Sequence, residues 1–397
     1  MKIEAIRTLG RPDHMRSWAL IEIRCSNGLT GIGMTSAPVS AIHGIICCPV
    51  TGMARHLIGK DPRDLNSLVR ILTGKWPAEL GRYGDGGLAI NAASAIEQAL
   101  WDILGKSAGL PLHRLFGGSQ TDRVRLYASG SAFNEHLYET ERKFVHRSTE
   151  ELVAMAKRHV SNGFTAFKFG WGNHYGDEAM ETLRAIRQAV GPAIGFMLDF
   201  GCPAYLNDRW TLKEAIRVSE KLAEIGIDFW EEPLRPADCA GYAALTKASP
   251  IRIATGESLT LVDEFQRLID ARAVDIVQPD VGQLGISAFW RIANTARDAG
   301  IACVPHGPWG APFVAGHVHL LGCLNPDALV EYPGQFSYPS GSRRDGIVDN
   351  VHKRLFTQPL HVEQGHLVLP QSPGLGLGDW NHTQVAEFEA MLTPTTT

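Results

Sequence analysis

The chain has 397 residues, of which 44% are hydrophobic, and a formal charge of −4 at pH 7, a composition typical of globular proteins. This composition excludes disordered and fibrous proteins, and the lack of a basic excess argues against nucleic acid as a partner. No apolar run reaches the roughly 18 residues that would suggest a membrane span. Because there is also no signal-peptide core and no C-x-x-C pair among the seven cysteines, we expect a cytoplasmic protein with reduced, mostly buried thiols.

The N-terminal part of the chain predicts a small α+β domain over residues 1–122. Residues 17–33, SWALIEIRCSNGLTGIG, alternate apolar and polar positions on both sides of the turn sequence SNG, which is typical of a β-hairpin. Residues 91–109, NAASAIEQALWDILGKSAG, carry an apolar stripe at helical spacing and a glycine at the end. This second pattern predicts an amphipathic helix.

Short apolar segments alternate with amphipathic helices over residues 123–340. Short runs of this kind are typical of strands buried on both faces of a parallel sheet. Eight such strands would close a (β/α)8 barrel, although one misassigned strand would leave an open doubly wound sheet. No G-x-G-x-x-G turn follows the first strand, so we favour the barrel over a dinucleotide-binding sheet. The eight segments are VRLYASG, FTAFKFG, IGFMLDFG, IDFWEEP, IRIATGE, VDIVQPD, IACVPHG and ALVEYPG.

A further segment, residues 341–397, follows the predicted barrel. The stretch GQFSYPSGSRRDGIVDNV predicts a polar loop, and HVEQGHLVLPQSPGLGLGDW predicts a short hairpin with a glycine-rich tail. We expect this tail to pack back on the N-terminal domain and the final TPTTT to be disordered.

Residues that can do chemistry stand at the C-terminal ends of most predicted strands. In a parallel barrel these ends meet at one mouth, where barrel enzymes build their active sites. Charged groups there are unfavourable unless they bind a metal, pair with each other or contact a ligand. The residues concerned are Lys168, Asp199, Glu231, Glu232, Glu257, Asp280, His306 and Glu331.

Three carboxylates from consecutive strand ends, Asp199, Glu231 and Glu257, predict a metal site. Hard oxygen ligands select Mg²⁺ over zinc or copper and leave coordination positions for substrate oxygens. Glu232 is the weaker candidate, since neighbouring strand residues face opposite ways. The alternative is that these carboxylates form ion pairs with lysines or arginines of the barrel.

His306 and Asp280 end adjacent predicted strands. An aspartate that accepts from one ring nitrogen orients the imidazole and raises its basicity, so we interpret the pair as a general base. Lys168 is either a solvated lysine or a carboxylate partner and proton carrier. Two interpretations of Glu331 remain open, a protonated acid that donates to an enolate oxygen or one half of a structural ion pair.

Taken together, several segments resemble the enolase superfamily, in its mandelate racemase branch, over nearly the whole chain. The resemblance implies an α+β capping domain, formed by residues 1–122 and completed by the C-terminal segment, over a modified (β/α)7β barrel. We therefore expect seven helical connections between the barrel strands, and not the eight helices of a regular barrel. The matching segments are SNGLTGIG, AASAIEQALWDILGKSAGLPLHRLFGG, LDFG, WEEP, TGES, QPDVGQLG, VPHG and SPGLGLG.

The resemblance also implies roles for the residues at the mouth. Members of this family remove the proton α to a carboxylate, and the metal, a lysine and an acid stabilise the resulting enediolate. In this chain Lys168 occupies the lysine position. The Mg²⁺ ligands of the family match Asp199, Glu231 and Glu257, and its His-Asp dyad matches His306 with Asp280. The acid that hydrogen-bonds the substrate carboxylate matches Glu331.

One departure from the family pattern bears on the reaction. The second strand usually carries Lys-x-Lys, but here FKFGWG places Gly170 where the second lysine would stand. A racemase or epimerase needs a base on each face of the enolate. This chain lacks the second base unless His174 or Tyr175 replaces it. A single dyad suffices for β-elimination, so we predict an acid sugar dehydratase, most similar to the rhamnonate dehydratase group, that forms a 2-keto-3-deoxy acid.

Two alternatives remain. A racemase, epimerase or cycloisomerase would use the same enediolate, and a non-catalytic binding protein would carry a degenerate site, which the complete metal and dyad set argues against. The resemblance also implies a homo-oligomer that takes a small-molecule carboxylate. Candidate substrate contacts, each of which could instead serve loop packing, are His14, Arg16, Arg82, Tyr83 and His174.

Overall fold

The computed structural model describes residues 1–10, 18–80, 86–133, 145–200, 210–307, 310–333 and 354–386. Within these ranges, none of the helices combines the length and the apolar composition that a membrane crossing demands. The cysteines in these ranges are free thiols, as expected, although Cys25 alone among them is fully buried.

The chain begins with a three-stranded antiparallel sheet. Its strands are β1 (Ile3–Gly10), β2 (Ala19–Cys25) and β3 (Thr30–Thr35), with β2 in the centre. In the turn between β2 and β3, Gly28 has a φ of 84°, a left-handed conformation that glycine adopts without strain. The hairpin predicted from the alternating pattern is confirmed.

One long helix, α4 (Leu88–Ala108), packs against this sheet. A Cβ atom at Gly31 or Gly33 of β3 would overlap the backbone carbonyl oxygens of Ala99 and Ala95, so the two glycines allow the helix to approach the strand. The helix predicted over residues 91–109 is confirmed. The other helical elements here are α1 (Val39–Cys47), a 3₁₀ turn (Met53–His56), α2 (Leu65–Arg70), a π turn (Ile71–Lys75), α3 (Trp76–Glu79) and α5 (Leu112–Leu115).

The next eight strands form a parallel barrel, with one strand in each of the eight predicted segments. The strands from β4 to β10 pair in chain order, and β11 pairs in parallel with β4. The last strand thus lies beside the first, and the Gly307 N–H that follows β10 donates a hydrogen bond to Glu331 of β11. The sheet therefore closes into a barrel and is not the open doubly wound alternative. These strands are β4 (Arg123–Ser131), β5 (Ala166–Gly170), β6 (Gly195–Asp199), β7 (Phe229–Glu231), β8 (Arg252–Thr255), β9 (Ile276–Val277), β10 (Ala302–Cys303) and β11 (Leu329–Pro333).

Each of the connections between successive barrel strands contains a helix, which gives the (β/α)7β arrangement. Capping boxes begin two of these helices, at Ser148 and at Thr211, where side chains and backbone N–H groups satisfy each other. The connecting helices are α6 (Thr149–Ser161), α7 (Asp177–Val190), α8 (Leu212–Ile225), α9 (Cys239–Ala248), α10 (Val262–Asp270), α11 (Val281–Leu284), α12 (Ile286–Asp298) and α13 (Ala311–Leu324).

The C-terminal segment contacts the capping domain, as expected, and it also joins the barrel sheet, which the sequence did not predict. Its hairpin, β12 (Val362–Glu363) and β13 (His366–Val368), adds to the barrel sheet because β13 pairs antiparallel with β4. Further on, the carbonyl of Gly374 accepts a hydrogen bond from Leu112 N at 2.8 Å, next to the capping helices. The domain limits at residues 122/123 and 340/341 stay predictions, and the second limit, like the TPTTT end, lies outside the described residues.

A buried carboxylate, Asp102 of α4, joins the tail to the capping sheet. It accepts hydrogen bonds from Leu375 N at 2.8 Å and from Ile32 N at 3.1 Å, and it lies 2.9 Å from Lys106 Nζ. Removal of the carboxylate would leave the two backbone N–H groups without this acceptor, whereas Lys106 Nζ would keep its hydrogen bond to the carbonyl of Thr30 at 2.9 Å.

We expect Asp102→Ala to lower the free energy of unfolding by about 2–5 kcal/mol, because it leaves two buried N–H groups unpaired and removes the carboxylate beside the Lys106 ammonium. Chemical denaturation monitored by circular dichroism measures the change. Asp122→Ala is the control, since the Asp122 side chain is 83% exposed. Equal stability of Asp102→Ala and the wild-type protein would show that this junction contributes nothing.

Candidate active site

Most of the site residues belong to one layer of side chains at the mouth of the barrel. Interior side chains lower in the barrel form a buried cluster that includes Tyr127, Ala166, Met197, Phe229 and Ile276. Strand side chains alternate between the two faces, so the residue two positions further along points to the interior again. The residues reached in this way are Ser129, Lys168, Asp199, Glu231 and Gln278. The same step leads from Val304 to His306 and from Leu329 to Glu331.

The three predicted metal ligands meet. One oxygen atom from each of Asp199, Glu231 and Glu257 lies within 4.8 Å of the others. Glu231 is fully buried, and its Oε1 atom has no hydrogen-bond partner among the described residues. An all-oxygen donor set with an unsatisfied buried oxygen fits a hard divalent cation such as Mg²⁺.

Lys168 is buried between the carboxylates, and its side chain is only 2% exposed. Its Nζ lies 2.5 Å from Glu231 Oε2, 3.1 Å from Glu331 Oε1 and 3.8 Å from Asp199 Oδ2. Burial by itself would lower the pKa of Lys168, but these carboxylates raise it well above its usual value. Lys168 is therefore a fixed cation and hydrogen-bond donor, and the solvated-lysine interpretation is wrong.

The ion-pair alternative for the carboxylates is correct in part, since Lys168 pairs with two of the three predicted ligands. One ammonium group cannot balance the cluster. Burial, together with the charges of Asp199, Glu331 and Glu257, raises the pKa of Glu231 to about 8 despite the contact with Lys168. The remaining negative charge favours either a bound proton or a bound cation.

His306 and Asp280 form a dyad. The Nδ1 atom of His306 lies 3.0 Å from Asp280 Oδ2, and its Nε2 lies 3.3 Å from Glu257 Oε2. The second ring nitrogen, Nε2, thus faces the predicted metal ligands and contacts one of them. Burial alone would lower the pKa of His306, but the neighbouring carboxylates, Glu257 foremost, raise it well above its ordinary value.

The surroundings of Glu331 favour the ion-pair interpretation over the protonated-acid interpretation. It contacts Lys168, and it accepts a hydrogen bond from Gly307 N at 3.3 Å. Burial would raise the pKa of Glu331, but Lys168, His306 and a hydrogen bond from Ser129 lower it. In this arrangement Glu331 is ionised and accepts hydrogen bonds rather than donating them.

Glu232 does not join the metal cluster, as the alternation of strand residues predicted. It follows the end of β7 with a φ of 48°, and its Oε1 accepts a hydrogen bond from Thr255 Oγ1 at 3.1 Å. The sharp backbone turn directs its buried side chain toward the neighbouring strand.

The two candidate second bases differ in surroundings. Tyr175 is buried, its hydroxyl accepts a hydrogen bond from Trp230 Nε1 at 2.9 Å, and burial raises its pKa well above 10, so it is a poor base. His174 is exposed, with its ring 4.9 Å from that of His146. The other proposed substrate contacts, His14, Arg16, Arg82 and Tyr83, lie outside the described residues.

Three polar residues of the barrel interior did not emerge from the sequence. Ser129 bonds to Glu331, whereas the hydroxyl of Tyr127 and both amide atoms of Gln278 are buried with no hydrogen-bond partner among the described residues. The signal that could have found them is their spacing, two residues from an interior position of the same strand. That step requires knowing which face of each strand points inward.

We expect Glu257→Gln to weaken Mg²⁺ binding by at least about tenfold, because an amide replaces a charged ligand. Isothermal titration calorimetry of the metal-free protein measures the affinity. Glu363→Gln is the control, since the Glu363 side chain is 68% exposed. Unchanged affinity in Glu257→Gln would remove this residue from the ligand set.

The raised pKa of Glu231 predicts a pH-dependent effect of the metal. A group whose pKa is higher in the folded state stabilises the fold below its unfolded pKa, and this contribution disappears as the pH rises through the folded value, here about 8. Mg²⁺ held by these carboxylates would take the place of that proton. We therefore expect Mg²⁺ to raise the melting temperature more at about pH 8 than at about pH 5. Glu231→Gln should reduce this dependence on pH. A larger Mg²⁺-induced increase in melting temperature at the lower pH would contradict the prediction.

Comparisons with known proteins agree with this geometry. Residues 7–117 match the family described as "Mandelate racemase / muconate lactonizing enzyme, N-terminal domain", and residues 151–378 match "Enolase C-terminal domain-like". D-galactarolactone cycloisomerase of Agrobacterium fabrum is 31% identical over 94% of this chain and 91% of its own length. Arabinonate dehydratase of Saccharolobus solfataricus is 29% identical over the same shares, 94% and 91%.

A solved structure shows the same architecture. The 3,6-anhydro-D-galactonate cycloisomerase from Zobellia galactanivorans is 27% identical and superposes with a TM-score of 0.82, covering 98% of this chain and 99% of that one. The family matches together span the capping domain, the barrel and the carboxylates at its mouth. The chain therefore belongs to the enolase superfamily, in its mandelate racemase and muconate lactonizing enzyme family.

Proposed function

We propose that the protein is a Mg²⁺-dependent dehydratase of a sugar acid, which removes the α-proton and the β-hydroxyl to form a 2-keto-3-deoxy acid. The observation that carries this proposal is the His306–Asp280 dyad, in which the other ring nitrogen of His306, Nε2, lies 3.3 Å from Glu257 Oε2. Gly170 stands where a second base would be. One base beside three ligand carboxylates suits a reaction that begins and ends on one face of the substrate.

The chain's own residues would divide the work as follows. Asp199, Glu231 and Glu257 would hold Mg²⁺, which when bound would stabilise the enediolate oxygens and offset the Glu257 charge that raises the pKa of His306. Lys168, a fixed cation, would donate a hydrogen bond to the developing negative oxygen.

Proton movements in the elimination balance with one imidazole. His306 Nε2 accepts the α-proton, with Asp280 holding Nδ1 in the donor tautomer. The electron pair of the enediolate then expels the β-oxygen, which takes the same proton from the imidazolium and leaves as water. The enol that remains becomes the 2-keto-3-deoxy acid, so His306 ends the cycle as it began.

A racemase or epimerase has less support. Tyr175 is buried, hydrogen-bonded and weakly acidic, which leaves the exposed His174 as the candidate for the opposite face. A base that is exposed to water competes poorly with a desolvated dyad for a weakly acidic carbon.

A second candidate function is cycloisomerisation, which the names of two relatives favour. If the expelled β-oxygen belongs to a ring of the substrate, the same elimination opens that ring and no water is lost. The layout of His306 and Lys168 serves either leaving group. The choice then rests on whether the pocket accepts open or cyclic sugar acids.

The experiment that separates these functions incubates the protein and Mg²⁺ with a panel of aldonates, aldarates and their cyclic forms. Semicarbazide detects the 2-keto products, and mass spectrometry shows whether one water has been lost. In deuterium oxide a racemase would exchange the α-proton without elimination. A binding protein would cause neither change, and that result would end the proposal.

We expect His306→Asn to reduce elimination and α-proton exchange by about 100- to 10,000-fold, the usual contribution of a general base, while Mg²⁺ binding is retained. His361→Asn is the control, since the His361 side chain is 70% exposed. Turnover by His306→Asn close to that of the wild-type enzyme would reassign the base to Lys168.

We further propose that the enzyme is cytoplasmic and a homo-oligomer, with domain limits near residues 122 and 340. The free thiols support a reducing compartment. Light scattering coupled to size-exclusion chromatography tests the oligomer, and a single-chain mass of 43.3 kDa would contradict it.

A further inference from the structure

The orientation of the Asp280 carboxylate depends on the turn that follows it. Asp280 is fully buried and caps the short helix α11, where its Oδ1 accepts a hydrogen bond from Gly282 N at 2.7 Å. Its Oδ2 faces His306 Nδ1 at 3.0 Å. A shift of this turn would therefore move the acceptor that orients the His306 ring.

A second histidine, His317, holds this turn from behind. It lies on α13, is fully buried, and its Nε2 accepts a hydrogen bond from Val281 N at 3.1 Å. Because a backbone N–H can only donate, Nε2 must carry a lone pair, and the proton of the neutral ring sits on Nδ1. In this arrangement His317 is a neutral imidazole.

The same ring also packs against the loop that carries His306. A Cβ atom at Gly307 would lie 2.7 Å from His317 Cε1 and 3.2 Å from Asp280 Oδ1. Gly307 has a φ of 138°, so glycine is favoured there on both grounds. His317 thus contacts the turn that bears one member of the dyad and the loop that bears the other.

We propose that His317 is a positioning residue for the proton-transfer dyad, which it serves by accepting the Val281 N–H and so fixing the direction of the Asp280 carboxylate toward His306. This inference rests on the proposed function of His306 as the base. It assigns to α13 a role in the chemistry in addition to its packing role.

His317 can brace Asp280 without competing for it. Its Nε2 lies 3.9 Å from Asp280 Oδ1, too far for a hydrogen bond, and burial lowers its pKa to about 4, so the ring stays neutral near pH 7. Its Nδ1 has no hydrogen-bond partner among the described residues. An apolar side chain would avoid that unsatisfied N–H but would leave Val281 N without its acceptor.

Two substitutions separate positioning from packing. In His317→Gln the amide oxygen can reach the place of Nε2, whereas in His317→Asn it reaches only the place of Nδ1. We expect His317→Asn to lower kcat by about 10- to 100-fold with little change in KM, as misplaced catalytic groups do, and His317→Gln to recover most of the rate. His159→Asn is the matched control, a fully buried helix histidine that packs against Phe167 and Phe169.

A measurement without turnover keeps this inference separate from the proposed function. In protein with isotope-labelled histidine, the proton on His306 Nδ1 gives a magnetic resonance signal that His306→Asn identifies by its loss. We expect His317→Gln and His159→Asn to retain this signal and His317→Asn to lose or shift it. That pattern supports the positioning role even if the wild-type protein acts on no sugar acid, in which case the proposed function alone fails.

Two results would overturn the inference. In the first, His317→Asn keeps both the His306 signal and the wild-type kcat. In the second, His317→Gln and His317→Asn lose the signal equally, which would show that the ring matters through its packing and not through its acceptor.

Discussion

Four carboxylates converge with one lysine in a buried space, and the need to balance their charge governs the rest of this molecule. Asp199, Glu231 and Glu331 all lie within 4 Å of Lys168 Nζ, and Glu257 joins the first two in the predicted metal site. Buried charges of one sign are unfavourable unless a partner offsets them. A divalent cation held beside Lys168 would provide that balance and would supply the positive potential that the proposed enediolate requires.

This charge balance also explains why the metal and the base belong together. His306 lies against Glu257, and that carboxylate is the first of the charges that raise the pKa of the imidazole. A cation bound to Glu257 would weaken the attraction of this carboxylate for the imidazolium and so favour the neutral ring, which can accept a proton. In the proposed function, metal binding and base activation would thus be coupled through one shared carboxylate.

The same use of buried carboxylates joins the capping domain to the barrel. Glu97 of α4 accepts hydrogen bonds from Ile286 N at 2.6 Å and Ser287 N at 3.1 Å, at the start of α12. The first turn of a helix has free N–H groups and a positive dipole end, which suit a carboxylate. Asp102 of the same helix binds the C-terminal tail, so α4 links all three parts of the chain.

The sequence by itself determined the strands, the capping hairpin and the residues at the mouth. These depend on local periodicity, since alternation along a strand decides which residues share a face, as it did for Glu231 over Glu232. The tertiary structure alone decided which partners these residues meet. Lys168 pairs with Glu231, 63 positions away, Tyr175 is sequestered by Trp230, and His317 lies behind Asp280. Such contacts, and the pKa shifts they cause, depend on distances between segments remote in the chain, which no local pattern encodes.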